Sequence, residues 1–296
     1  MKYRHIILEK SNYVARITLN RPEKLNALSR EMTDELWHAL NAIAESDDIK
    51  VVVFKGAGRA FSAGADLTQA SAVYGWNEPK SGEDVPRPSK RSRLKFDRHA
   101  FYEDVQRMLL YPKLTIAEIH GYCLGAAFNL FLHCDLIVAA DDSQMGFPEE
   151  KLGTAGLTIS PLLVLRCGLT HALDLSITGR MVDGQEAARI GLINRSVPRE
   201  RLDDEVNKLA ESLAQYPRHG IEMGKLSRHF VYGIMGIIQG LTPAYVMHAL
   251  QTDMSFEADE FNFFKPWLEK GVKAATHIRR EAEGKPKDGG IDKQTT

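Results

Sequence analysis

Two segments combine glycine with a main chain able to offer free N–H groups: Phe61-Ser62-Ala63-Gly64-Ala65-Asp66-Leu67 and Gly121-Tyr122-Cys123-Leu124-Gly125-Ala126-Ala127-Phe128-Asn129-Leu130. Each follows a β-branched apolar run and leads into a helical pattern, which places unsatisfied backbone donors at a strand-to-helix turn. Two such turns side by side make an oxyanion hole. Preorganised donors of this kind favour a carbonyl oxygen that takes on negative charge, such as that of a thioester becoming an enolate, over the neutral ground state.

The hydrophobic period shows which elements must hold these turns. Ile6 to Asn20 alternates about a polar turn at Ser11-Asn12 and reads as a β-hairpin. Arg21 to Asn26 is a loop containing Pro22, and Ser29 then offers an N-cap to a helix running to about Glu45, with Leu28, Met32, Leu36, Leu40 and Ile43 at helical spacing. Val51 to Phe54 is a continuous apolar strand of the kind buried on both faces. From Thr68 to Arg98 the rhythm breaks at Gly75, Pro79, Gly82, Pro86 and Pro88, so a structureless connection is expected. It is either a solvated insertion or a lid in which Tyr74 and Trp76 cover a pocket. A helix around Phe101, Val105, Met108 and Leu109 ends at Pro112, and strands follow at Leu114 to Ile119 and Leu136 to Ala140, with a helix from Gly125 to His133 between them. Short helices are expected at Pro161 to Arg166, His171 to Thr178 and Gly184 to Arg189, and a last short strand at Val197. Beyond Pro198 the signal is helical only: Leu202 to Gln215, Gly220 to Val231, and an apolar, aromatic run from Thr242 to Glu269.

This pattern predicts an α/β core over residues 1–199, a C-terminal all-helical region over 200–280 that packs on a neighbouring subunit, and a frayed polar tail at 281–296. With 296 residues, 44% apolar and 26% charged, the chain has ample material for a large core. A net charge of -1 argues against a general polyanion binder, so no nucleic-acid partner is expected. Cys123, Cys134 and Cys167 lie outside metal-ligand or redox spacings and read as reduced core residues, and no His/Cys/Asp cluster has the spacing of a metal site. The N-terminus lacks an apolar leader, and no stretch approaches the roughly 20 apolar residues that span a bilayer. A cytoplasmic protein without a membrane partner is the expectation.

Taken together, Leu19-Asn20-Arg21-Pro22-Glu23-Lys24-Leu25-Asn26-Ala27-Leu28, Phe61 to Leu67, Gly121 to Gly125, Cys134-Asp135-Leu136 and Phe147-Pro148-Glu149 resemble the enoyl-CoA hydratase/isomerase, or crotonase, superfamily in order and spacing, over about residues 5 to 280. The resemblance implies a spiral of ββα units, a homotrimer or dimer of trimers, and an acyl-CoA substrate whose enolate is stabilised. It implies no separate cofactor, coenzyme A being part of the substrate, and a place in fatty acid or acyl-CoA degradation.

Carried onto this chain, the resemblance puts the oxyanion donors at the Ala65 and Ala126 amides. Ala126 and Ala127 stand where the family has glycines, and the donor survives if its φ is negative. Two glutamates serve the family's hydratases. The second falls on Glu149, the expected general base and acid; the first falls on Asn129. An amide can orient water but cannot take its proton, so one glutamate suits migration of a double bond from the 3,4 to the 2,3 position through a dienolate. Hydration remains open with Asn129 as positioner, as does C–C hydrolysis or lysis of a cyclic or β-keto acyl-CoA using water near Asn129 or His120. A non-catalytic CoA- or RNA-binding relative is the reading from another class. For CoA the resemblance points to Lys24, Leu25, Ala63 and Asp66, with Arg279, Arg280 and the Lys270 and Lys273 region meeting the phosphates. His120, His133 and Asp135 read as structural, and Glu118, on the strand face of Ile116, is open.

Overall fold

A computed structural model describes residues 2–74, 89–149 and 161–251, together with 266, 270, 274, 275, 277 and 278. The hairpin forms as its alternation requires: β1 (Ile6–Ser11) pairs antiparallel with β2 (Val14–Leu19), Ile6 opposite Leu19, and the turn carries Asn12 and Tyr13 at positive φ. The Ser29 hydroxyl accepts the Met32 N–H and starts α1 (Arg30–Ala44), whose buried side is the expected set Met32, Leu36, Leu40 and Ile43. The next strand, β3 (Val51–Gly56), lies parallel to β2 and is buried from Val51 to Phe54.

Parallel strands then stack outward from this pair. β4 (Leu114–Ile119) pairs with β3, β6 (Leu136–Ala140) with β4, and β8 (Arg195–Val197) with β6, giving the order β1-β2-β3-β4-β6-β8. A second, two-stranded sheet pairs β5 (Tyr122–Leu124) with β7 (Gln144–Gly146). Side chains alternate across β4. Ala117 and Ile119 join the core that holds α1 and α5 (Gly125–Phe131), while Leu114 and Ile116 join the core under α8 (Leu202–Ala214), made with Leu202, Val206, Ala210 and Ala214. Phe131 of α5 meets Phe54 and Phe61 edge-on, at ring separations of 5.2 and 4.8 Å, and so fixes α5 against both β3 and the first glycine turn.

One expectation is corrected. The connection from Thr68 to Arg98 is not structureless at its ends: α2 (Leu67–Tyr74) follows the first glycine turn, and α3 (Lys90–Asp97) starts where the Ser89 hydroxyl accepts the Ser92 N–H. A wide π-helical turn, Arg98–Glu103, then leads into α4 (Asp104–Leu109). Residues 75–88, with Trp76, lie outside the described residues, as do the Tyr74 side chain, Arg279, Arg280, Lys273 and the tail 281–296. The two short helices expected near 161–178 form on either side of a break at Gly168, where φ is 73° and ψ 163°, and are taken together as α6 (Pro161–Thr178). There follow α7 (Gly184–Arg189), α9 (Arg218–Ile234) and α10 (Ile237–Gln251). No single helix among the described residues is long and apolar enough to cross a membrane.

Candidate active site

The first glycine turn presents one donor. The Ser62 N–H donates to the Tyr122 carbonyl at 2.8 Å, Ala63 to Leu25 at 2.9 Å, Gly64 to its neighbour's Ser62 Oγ at 3.3 Å, and Asp66 to Leu28 at 3.0 Å. Ala65 pairs with Leu28 through a bridge whose bonds are made by the Gly64 carbonyl and the Asp66 N–H, so its own N–H faces the opposite side. It has no acceptor among the described residues.

The second turn is tied to the first. Ser62 and Cys123 form a parallel bridge, with the Leu124 N–H on the Ser62 carbonyl at 3.1 Å. Gly125, at φ 52°, then swings the chain into α5, whose N-terminus carries no side-chain cap, leaving the Ala126 N–H without an acceptor among the described residues. Ala126 and Ala127 lie inside the helix at negative φ, which is why alanine serves where a glycine is expected. A β-carbon on Gly64 would sit 2.8 Å from the Leu124 carbonyl oxygen and 3.6 Å from the Ala126 nitrogen. Gly64 is therefore glycine both for its φ of 97° and for this approach. By bond geometry the Ala65 and Ala126 nitrogens lie within about 7 Å of each other, near enough to serve one ligand oxygen.

Glu149 completes the group. Its Oε1 occupies the space that a Gly125 β-carbon would need, and its Oε2 is buried, so the carboxyl lies on the turn that carries the Ala126 donor. Phe147, two residues earlier, packs on Phe128 at 5.0 Å between ring centres and gives the loop an apolar backing. Asn129 lies three residues beyond Ala126 on the same half-buried side of α5. Of the residues expected near CoA, Lys24 is exposed, Leu25 holds φ 48°, and the Leu25 carbonyl accepts the Ala63 N–H, so these three share one edge. Asp66 is engaged at both oxygens: Oδ1 accepts the Thr68 N–H at the start of α2, and Oδ2 pairs with Arg21 at 3.0 Å. Lys270 is exposed.

The remaining polar candidates are structural. Glu118 shares the face of Ile116, as its strand position requires, and points away from the glycine turns toward α8, where Lys55 Nζ lies 3.4 Å from it and 2.6 Å from Asp203. Burial, and then the neighbouring Asp203, push the Glu118 carboxyl up to about 7. The His120 ring bonds the Gly58 carbonyl at 3.0 Å. His133 donates from Nδ1 to the Asn129 carbonyl at 2.7 Å, and burial brings it down to about 4, which keeps it neutral. Asp135 receives Thr115 and the buried Lys225. All three cysteines are buried and free, with burial raising their thiols. Among the described residues no group of His, Cys, Asp and Glu has the arrangement of a metal site. Sequence reading has Ser62 in the first turn and Arg21 to Asn26 in a loop, but misses that Arg21 and Asn26 bond to that turn, because these contacts join distant segments.

The family model for enoyl-CoA hydratase/isomerase matches residues 9–231. The chain belongs to this family. A Mycobacterium tuberculosis protein named as a probable enoyl-CoA hydratase is 32% identical over 226 residues, 76% of this chain and 81% of its own length. The hydroxycinnamoyl-CoA hydratase-lyase of Pseudomonas fluorescens is 30% identical over 215 residues, 72% of this chain and 74% of that protein. Among solved structures, an enoyl-CoA hydratase/isomerase from Xanthobacter autotrophicus Py2 superposes with a TM-score of 0.83 at 30% identity, covering 95% of this chain and 99% of that one. The α/β architecture of this family member, a mixed sheet with many helices, is thus shared along nearly its whole length.

Proposed function

We propose that this family member binds an enoyl-CoA thioester with its carbonyl oxygen between the Ala65 and Ala126 amides and moves protons at the acyl carbons with Glu149. The observation that carries this reading is the Glu149 carboxyl lying on Gly125, the residue that delivers the Ala126 donor. Charge developing on the oxygen then meets preorganised N–H groups, while the base lies beside the carbons that become acidic through enolisation. In double-bond migration Glu149 takes the proton from C2, the dienolate forms, and the same proton returns to C4. In hydration Glu149 takes a proton from water as the hydroxyl adds to C3, and then gives that proton to C2 of the enolate, which restores its carboxylate. Asn129 in place of a second acid favours migration, since it can hold water but not take its proton.

The same reading extends to the rest of the chain. Lys24, Leu25, Ala63 and Asp66 border the nucleotide end of CoA, which is carried by the substrate, so no further cofactor is required. Residues 1–199 form the catalytic core, in a spiral of ββα units, and the helices of 200–280 pack on neighbouring copies in a trimer or dimer of trimers. What supports the last point is α9, which exposes Met223, Leu226, Phe230 and Ile234 along one side. A cytoplasmic role in acyl-CoA degradation is consistent with this chemistry.

The test is a panel of 2-enoyl-, 3-enoyl- and β-keto acyl-CoA thioesters against the wild type and Glu149→Gln. Turnover of an enoyl thioester, lost in the variant with CoA binding kept, is the expected result. Cleavage of only the β-keto substrates would assign a C–C hydrolase instead, and binding without any turnover a non-catalytic relative.

A further inference from the structure

We infer that Ser62, held by the backbone of Asn26, is a positioning residue for the Ala65 donor; this rests on the function proposed above. A hydroxyl has one proton and two lone pairs. The Ser62 Oγ lies 2.7 Å from the Asn26 carbonyl oxygen, which can only accept, so the proton is committed there. Its lone pair is left for the Gly64 N–H at 3.3 Å. The hydroxyl therefore takes up the last N–H of the turn besides that of Ala65, those of Ser62, Ala63 and Asp66 being bonded to backbone carbonyls. It also orients a peptide that glycine, at φ 97°, leaves free to rotate.

Asn26 is itself fixed. It is fully buried at φ 53°, its Nδ2 donates to the Ala57 and Ala60 carbonyls at 2.8 Å each, and its Oδ1 accepts the Arg21 N–H at 2.8 Å. The Arg21 guanidinium closes the ring by donating to the Ala27 carbonyl at 2.7 Å and to Asp66 Oδ2 at 3.0 Å. The turn is thus gripped on both sides, at Gly64 through Ser62 and at Asp66 through Arg21, with Ala65 between. Buried, fully engaged networks of this kind specify one arrangement.

Ser62→Ala removes the grip on Gly64 together with the hydroxyl's own bond to the Asn26 carbonyl, and leaves the bonds made by the Asn26 side chain and by Arg21 in place. Removing an oxyanion donor outright costs roughly 100- to 1,000-fold in kcat, so loosening one is expected to cost about tenfold. Alongside kcat, KM and the CoA dissociation constant, the decisive readout is the absorption of a bound aryl-enoyl-CoA chromophore, which moves to longer wavelength as its carbonyl is polarised. The expected result is a lower kcat and a smaller red shift per bound ligand, with KM and CoA affinity within about twofold, and with Ser62→Cys, a weaker acceptor, in between. Ser62→Cys carries the same comparison if the alanine variant does not accumulate. An unchanged kcat and red shift, or a loss confined to KM, CoA affinity or the folded fraction, would overturn the positioning role alone. A wild type that neither turns over nor polarises the thioester would bring down the proposed function, and this inference with it.

Discussion

Glu149 and Glu118 are both largely enclosed glutamates near the second glycine turn, and they differ in what faces them. Glu118 stands on a strand, between Lys55 and Asp203, on the side of the sheet covered by α8. Its charge and its proton are settled by protein partners. Glu149 stands on a loop, pressed against a glycine at the mouth of an uncapped helix, with aromatic backing from Phe147 and Phe128. Enclosure is common to both, and the proposed catalytic role of Glu149 rests instead on its placement beside main-chain donors.

Glu149→Gln should break the comparison most severely, lowering kcat by about 100- to 10,000-fold, the usual range for a lost general base, without weakening CoA binding. Gly125→Ala follows, because its methyl would displace the Glu149 carboxyl and burden a positive φ; a fall in kcat of about 100-fold and a loss of about 1 kcal/mol in a denaturant titration are expected. Glu118→Gln should leave kcat within about twofold yet change how stability depends on pH.

The sign for Glu118 follows from its two proton affinities. Folding raises this carboxyl from 4.5 to about 7, so its contribution is full below pH 4.5 and is lost as pH rises toward 7 and above. The difference amounts to about 3 kcal/mol at most, and Glu118→Gln should remove that decline in melting curves between pH 5 and 8. His133 acts in the opposite sense: folding lowers it from 6.5 to about 4, so the stability of the neutral ring is present above 6.5 and lost as pH falls toward 4. His133→Gln should give the smallest effect, a shallower acid limb in the same measurement with little change near neutral pH.

Much of this was legible in the residues. The hairpin, α1 with its Ser29 cap, the apolar β3 and the break of α6 at Gly168 each follow from local period or from one punctuating residue, and local signals survive folding. Helices α2 and α3 were hidden because the glycines and prolines between them dominate the window in which period is read. The site was half legible. Ala65, Ala126 and Glu149 fall on motif positions, whereas the ring through Arg21, Asn26, Ser62 and Asp66 is made of hydrogen bonds between segments far apart in sequence. The partner of Glu118 likewise arrives from Asp203, at the start of α8, and no pattern around residue 118 announces it.

The order of the strands has a bearing on biosynthesis. Among the described residues, β6 is paired on its outer side by β8 alone, three residues contributed long after β6 itself has emerged from the ribosome. Until Arg195–Val197 arrives, the nascent chain carries an apolar strand with an open row of hydrogen-bonding groups, the sort of border that recruits other chains. A fragment ending before residue 195 is accordingly expected to aggregate, while one extending through β8 and α8 would close that border and cover the sheet beneath it.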